Sequence, residues 1–192
     1  MNRLCFLLLV ALAACSAPAP APRAPLEGAR IGGPFTLVDQ NGATVTDQSF
    51  PGQYRVMYFG YTYCPDVCPT DVANLARGVK AFAKADPARA RRLKFIFVSI
   101  DPARDTPAAL KTFTAAFDPN MVGLTGTPAV IADVAKEYGV SVSIPPDQPK
   151  DGYIVDHSRQ AYLMSPQNKP IALLPQDGTA EEIANELGKW VQ

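Results

Sequence analysis

Cys64 and Cys68 stand four positions apart in Gly60-Tyr61-Thr62-Tyr63-Cys64-Pro65-Asp66-Val67-Cys68-Pro69, and this pair is the strongest chemical signal in the chain. A strand-like run, Arg55-Val56-Met57-Tyr58-Phe59, precedes it and a helix-like run follows. A close thiol pair can exchange a disulfide, hold a soft metal ion, or form a permanent structural crosslink. A strand-to-helix turn favours the first two uses. The N-terminus of a helix carries partial positive charge, which favours thiolate, the form that attacks disulfides and ligates metal.

The elements that must position this pair read as follows. Phe35–Val38 and Ala43–Thr46 flank Asp39-Gln40-Asn41-Gly42, a hairpin signal because Asn-Gly suits a turn needing positive φ. Tyr54–Gly60 and Leu93–Ile100 are apolar runs that read as buried central strands. From Pro69 onward Val72, Leu75, Ala76, Val79, Phe82 and Ala83 recur at helical spacing and give one apolar face. Thr106-Pro107 and Thr127-Pro128 each read as an N-cap followed by a first helical proline, opening helices to about Phe117 and Tyr138. Val140–Ile144, Gln160–Met164 and Ile171–Leu174 read as strands, and Thr179–Val191 as a closing amphipathic helix. The order predicts an α/β, thioredoxin-like fold: a central mixed sheet flanked by helices, with an N-terminal hairpin. In such a domain the loop after the first central strand delivers Cys64 and Cys68 to the edge of the sheet.

Residues 1–14 have the plan of an export signal: Asn2-Arg3, then an uncharged apolar run from Leu4 to Ala14 that is too short to span a bilayer. Leu12-Ala13-Ala14-Cys15 reads as a lipobox, which makes Cys15 a lipidated first residue and discards Cys5. Residues 15–29 carry the Pro/Ala-rich Ser16–Pro25, an extended spacer because proline fixes φ and removes an amide donor. Residues 30–192 suffice for one domain with a full core. Loss of residues 1–14 removes Arg3 alone among charged residues, leaving 17 basic and 18 acidic side chains. Near-neutrality without a basic cluster argues against a nucleic-acid partner.

Tyr58-Phe59-Gly60-Tyr61-Thr62 followed by Cys64-Pro65-Asp66-Val67-Cys68-Pro69 resembles the signature of the SCO/SenC copper-chaperone family. Val98–Pro107, Gly123-Leu124-Thr125-Gly126 and Tyr153-Ile154-Val155-Asp156-His157-Ser158 are similar to its further motifs, in the same order. The likeness spans residues 30 to 190. It implies a thioredoxin-like domain that faces the periplasm; with the lipobox at Cys15 the expected place is a bacterial membrane surface, lipid-anchored, the inner membrane being favoured by an oxidase client and the outer remaining open. It further implies a copper ion bound by Cys64, Cys68 and His157, and help in assembling the dinuclear copper centre of cytochrome c oxidase. The implied partners are the oxidase subunit carrying that centre and a periplasmic copper donor or thiol reductant. The family usually has histidine before the first cysteine, where this chain has Tyr63, so His157 is the sole imidazole.

Cuprous ion prefers thiolate and accepts imidazole, and a three-coordinate site leaves the ion open to an incoming ligand. Zinc also accepts two cysteines, a histidine and water, so residue types alone do not choose the metal. A Cys64–Cys68 disulfide withdraws both thiolates, so metal binding would require prior reduction. The competing function is a thiol–disulfide reductase with Cys64 as nucleophile. Peroxide reduction is disfavoured, because no Pro-x-x-x-Thr-x-x-Cys arrangement precedes either thiol. Asp101, Arg104 and Asp105 are expected to form a turn with a local ion pair and a helix cap, or to support docking. Tyr61 and Tyr63 are expected to shield the site, and Asp66 to be a solvated turn residue or a modulator of the thiols.

Overall fold

The chain is described here by a computed structural model covering residues 23–149 and 152–192. Residues 1–22, with the export signal, Cys15 and most of the Pro/Ala stretch, lie outside the described residues. Leu26, just beyond them, donates its amide to the Ile171 carbonyl at 2.9 Å.

Strands β1 (Thr36–Asp39) and β2 (Thr44–Thr46) form the expected hairpin. Gly42 turns it with φ +85°, and the Asp39 carboxylate accepts the Asn41 and Ala43 amides at 2.8 and 2.9 Å. Then follow β3 (Tyr54–Gly60), α1 (Val67–Ala85), a short α2 (Pro87–Ala90), β4 (Leu93–Ser99) and α3 (Pro107–Phe117). The chain continues with β5 (Val122–Thr125), α4 (Pro128–Glu137), β6 (Val142–Ser143), β7 (Asp156–His157), β8 (Ala161–Met164), β9 (Pro170–Leu174) and α5 (Ala180–Trp190).

Seven strands form one mixed sheet in the order β2-β1-β5-β4-β3-β8-β9. β3, β4 and β5 run parallel, while β8 pairs antiparallel with β3 and β1 antiparallel with β5. Every residue of β3 is buried, because both sheet faces are covered. The pleat divides its side chains. Tyr58 faces Phe97, which packs on Phe113 of α3, whereas Phe59 meets Tyr138 beyond α4 and Tyr162 of β8. This is the expected thioredoxin-like architecture, with helices on both faces.

Helix starts follow the sequence signals. Thr106 and Thr127 accept the amides of Ala109 and Val130, each ahead of a first-turn proline, and Thr179 forms a capping box with Glu182. One strand expectation changes, and one strand, β5, is an addition to those expected. Val140–Ile144 supplies only Val142 and Ser143 to a strand, and these pair with Asp156–His157 in a separate two-stranded ribbon. β5 carries too weak a pattern to stand out: four residues with a central glycine. That glycine serves packing, since a Cβ on Gly123 would stand 3.0 Å from Thr114 Cγ2 and 3.1 Å from Leu110 Cβ of α3.

Candidate metal and redox centre

The loop between β3 and α1 places both thiols at the head of α1. Asp66, the residue before the helix, is exposed and makes no side-chain cap. The Cys64 sulfur takes that place: the Cys68 amide donates to Cys64 Sγ at 3.3 Å. Cys64 is half-buried and Cys68 fully buried, and both are free thiols. Burial, then the neighbouring Cys64, pushes the Cys68 thiol well above its ordinary range.

His157 reaches the pair from the β6–β7 ribbon, 89 positions downstream. The ribbon is pinned by Val142 opposite His157 and by Ser141 and Ser158, which exchange bonds of 2.7 and 3.0 Å. Nδ1 lies 2.8 Å from the Ser158 carbonyl, which can only accept, so Nδ1 carries the proton. Nε2 is left as the free donor atom and lies 3.2 Å from Cys68 Sγ. Burial lowers the imidazole pKa, which keeps the ring neutral. Tyr58 and Tyr61 close around it with their rings edge-on at 6.4 and 6.1 Å. Cys64 Sγ, Cys68 Sγ and a His157 nitrogen all lie within 4.8 Å of one another. A cleft of ≈ 190 Å³, lined by Cys64, Pro65, Asp66, Ile154 and His157 among others, opens the cluster to solvent.

The charged loop after β4 has a larger structural part than a cap. Asp101 and Arg104 form the expected ion pair at 2.5 Å, and Thr106 caps α3 as the Thr-Pro start predicts. Asp105 is buried and accepts the Thr62 amide at 3.1 Å and the Thr62 and Ser99 hydroxyls at 2.6 Å each. It thereby ties the cysteine loop to the end of β4. Burial raises its pKa, against those hydrogen bonds. Tyr61 is buried and walls the site, whereas Tyr63 is 59 % exposed and has the Arg104 guanidinium 5.1 Å from its ring. Asp156, exposed beside His157, does not orient the ring; the Ser158 carbonyl does.

Three further residues escape the sequence reading. Asp71 lies in the apolar stripe of α1, one turn after Cys68, and is wholly buried. Arg159 chelates its carboxylate at 2.6 and 3.0 Å, and the Tyr58 hydroxyl donates to it at 2.8 Å. A carboxylate amid Val72, Leu75 and Ala76 was the signal available, since a buried charge requires a partner.

A parallel βαβ unit that presents two thiols at a helix N-terminus, with a distant imidazole closing on them, defines a thioredoxin-like domain carrying a candidate Cys2His metal site. The chain belongs to the SCO1/SenC family, whose model matches residues 23–192. It is 43 % identical to the protein SenC of Rhodobacter capsulatus over 161 residues, covering 83 % of this chain and 70 % of that protein. It spans about half the length of several eukaryotic Sco proteins that it matches. Among solved structures, ScoI of Bradyrhizobium japonicum with copper bound superposes with TM-score 0.74 at 41 % identity, covering 83 % of this chain and 99 % of that one. An SCO1/SenC family lipoprotein from Bacillus anthracis gives TM-score 0.69 at 25 % identity, covering 84 % and 95 %.

Proposed function

We propose that this chain is a copper chaperone of the periplasmic face, anchored by a lipid on Cys15, that assists assembly of the dinuclear copper centre of cytochrome c oxidase. Copper is its cargo, held by Cys64 Sγ, Cys68 Sγ and His157 Nε2. The observation that carries this reading is the convergence of His157 Nε2 on the thiol pair, 3.2 Å from Cys68 Sγ. Two sulfurs and one imidazole suit a soft or borderline ion, and the copper-bound ScoI relative favours copper over zinc. Loading displaces the protons of both thiols, so copper uptake releases protons and requires the reduced pair. The cleft beside Cys64 leaves room for a client ligand to approach and take the ion.

The membrane anchor rests on the lipobox at Cys15, and the Bacillus anthracis lipoprotein relative supports it. Among the described residues no helix is long and apolar enough to cross a membrane. Labelled-palmitate incorporation in the parent and its loss in Cys15→Ser test the anchor.

The deciding experiment is copper competition against a chromophoric cuprous chelator, with parent, His157→Ala and Cys64→Ser proteins held reduced. The parent is expected to take copper one-to-one, His157→Ala to bind far more weakly, and Cys64→Ser to lose binding. Full affinity in His157→Ala overturns the ligand set. A second reading, a reductase that maintains client cysteines, is favoured by one observation: Cys64 is the more exposed thiol, at a helix start, with Cys68 buried behind it as the resolving partner. That activity would survive His157→Ala and disappear in Cys64→Ser.

A further inference from the structure

Asp71 and Arg159 are 88 positions apart, nearly the separation between Cys68 and His157, and the coincidence is structural. Asp71 lies one helical turn beyond Cys68 on α1; Arg159 lies two residues beyond His157. Their fork, Nη2 to Oδ1 at 2.6 Å and Nε to Oδ2 at 3.0 Å, therefore bolts the helix bearing one sulfur to the segment bearing the imidazole. Tyr58 adds a third arm. Its hydroxyl donates to Asp71 Oδ2 at 2.8 Å while its ring stands edge-on to His157.

The fork is not needed merely to pack α1 against β3. Asp71 is buried but the Arg159 side chain is 40 % exposed, and such a partly solvated pair often contributes no more stability than apolar side chains of similar volume, because desolvation and solvent screening offset the attraction. Asp71 is wholly buried within an apolar stripe, where leucine would pack without Arg159, though it would leave the buried Tyr58 hydroxyl without its acceptor. A planar guanidinium on a carboxylate instead supplies orientation, since two parallel bonds fix distance and plane together. The imidazole's own segment orients it only through the Ser158 carbonyl at Nδ1. β7 has only two residues and is outside the main sheet.

We infer that the Asp71–Arg159 fork, completed by Tyr58, is a positioning device that holds His157 Nε2 over Cys68 Sγ and so sets the affinity of the metal site. The inference rests on the proposed ligand set. Outer hydrogen-bond partners of metal ligands commonly govern affinity by about 10–100-fold, and the same range is expected here.

The test compares the reduced full chain with Arg159→Gln, and with Asp71→Leu/Arg159→Leu, which replaces the fork by an apolar pair. Cuprous affinity is expected to fall about 10–100-fold in both, even where the double variant melts at the parent's temperature. Parental affinity in a folded double variant overturns the inference, because the fork would then be packing alone. A metal-free readout separates this from the ligand assignment: long-range 1H–15N spectra of the apo protein. The parent is expected to show one His157 ring environment with Nδ1 protonated, and Arg159→Gln an averaged one. An unchanged spectrum in Arg159→Gln overturns positioning whatever copper does. Loss of affinity in His157→Ala alongside parental affinity in Arg159→Gln also overturns it, leaving the ligand set intact. Full affinity in His157→Ala removes the ligand set instead, and the apo spectra then decide whether the fork orients the ring.

Discussion

Gly60 lies directly against the Cys68 sulfur. A Cβ on Gly60 would stand 3.1 Å from Cys68 Sγ, 3.0 Å from Tyr58 Cε1 and 3.1 Å from Phe97 Cε2. The last residue of β3 is thus the floor on which the buried thiol rests, and the absence of a side chain there is what lets the sulfur reach His157.

Gly60→Ala is expected to displace that floor by a few tenths of an ångström. Overpacking of this kind costs about 1–3 kcal/mol, readable as a lower urea midpoint. The same variant should hold cuprous ion more weakly than the parent, because the Cys68 sulfur moves relative to the imidazole. An alanine variant with parental affinity and parental midpoint would mean that the neighbouring rings yield freely, and the close approach would be without consequence.

Asp105 gives a pH signature. Its folded-state pKa is raised by burial, so the native carboxyl holds its proton more tightly than the unfolded one, whose pKa is 3.8. Its contribution to stability is therefore fully present below pH 3.8 and is lost as pH rises through the folded value, at about 1.4 kcal/mol per pH unit at most. Asp105→Asn keeps the neutral shape and does not titrate. Its stability relative to the parent should be poorest in acid and should improve toward neutrality, measured by urea unfolding at a series of pH values. A deficit that grows with pH would show that the Thr62 and Ser99 hydrogen bonds outweigh burial.

Gly78 is the point of closest approach between α1 and α5. A methyl there would overlap Cβ and Cγ2 of Ile183, which is fully buried. Helix propensity alone favours alanine over glycine by about 1 kcal/mol. Overlap with a β-branched core side chain is expected to win, making Gly78→Ala net destabilising by about 1–3 kcal/mol in thermal or urea unfolding. Ile183→Ala is destabilising alone through its cavity, yet the double variant should be more stable than the two losses added. Strict additivity would remove the steric account.

The legibility of this molecule follows the range of the interactions involved. β3 and β4 are readable because strands covered on both faces become continuous apolar runs, and the Thr-Pro starts are readable because a cap is a local bond. β7 is not readable, since two residues become a strand only through Val142 opposite them. The thiol pair declares itself by spacing, while His157 is singled out by family resemblance and brought to the pair by the fold. Asp71 and Arg159 belong to no motif in the sequence, and only the fold brings them within hydrogen-bonding distance. The Thr106 cap is legible in Thr106-Pro107, whereas the inward turn of the Asp105 carboxylate to Thr62 is a long-range contact that no local pattern marks.

The segment leading to His157 hangs from two tyrosines. Tyr153 donates its hydroxyl to Asp101 Oδ1 at 2.6 Å, and its ring lies 3.6 Å beneath the Arg104 guanidinium, which Asp101 also holds. Tyr61, from the cysteine loop, accepts the amide of buried Val155 at 3.2 Å. The two suspensions differ in what their loss exposes. Tyr153→Phe removes a hydrogen bond to the buried Asp101 carboxylate and keeps the ring under Arg104, so about 1.5–3 kcal/mol is expected. Tyr61→Phe leaves a buried amide without its acceptor, for which about 1–3 kcal/mol is expected. The two effects should differ in place rather than in size: hydrogen exchange at the Val155 amide is expected to accelerate in Tyr61→Phe and to stay near parental in Tyr153→Phe. Copper affinity should fall further in Tyr61→Phe, because Val155 is two residues from the imidazole. Equal protection of Val155 in both variants would show that the β6–β7 ribbon alone holds the segment in place.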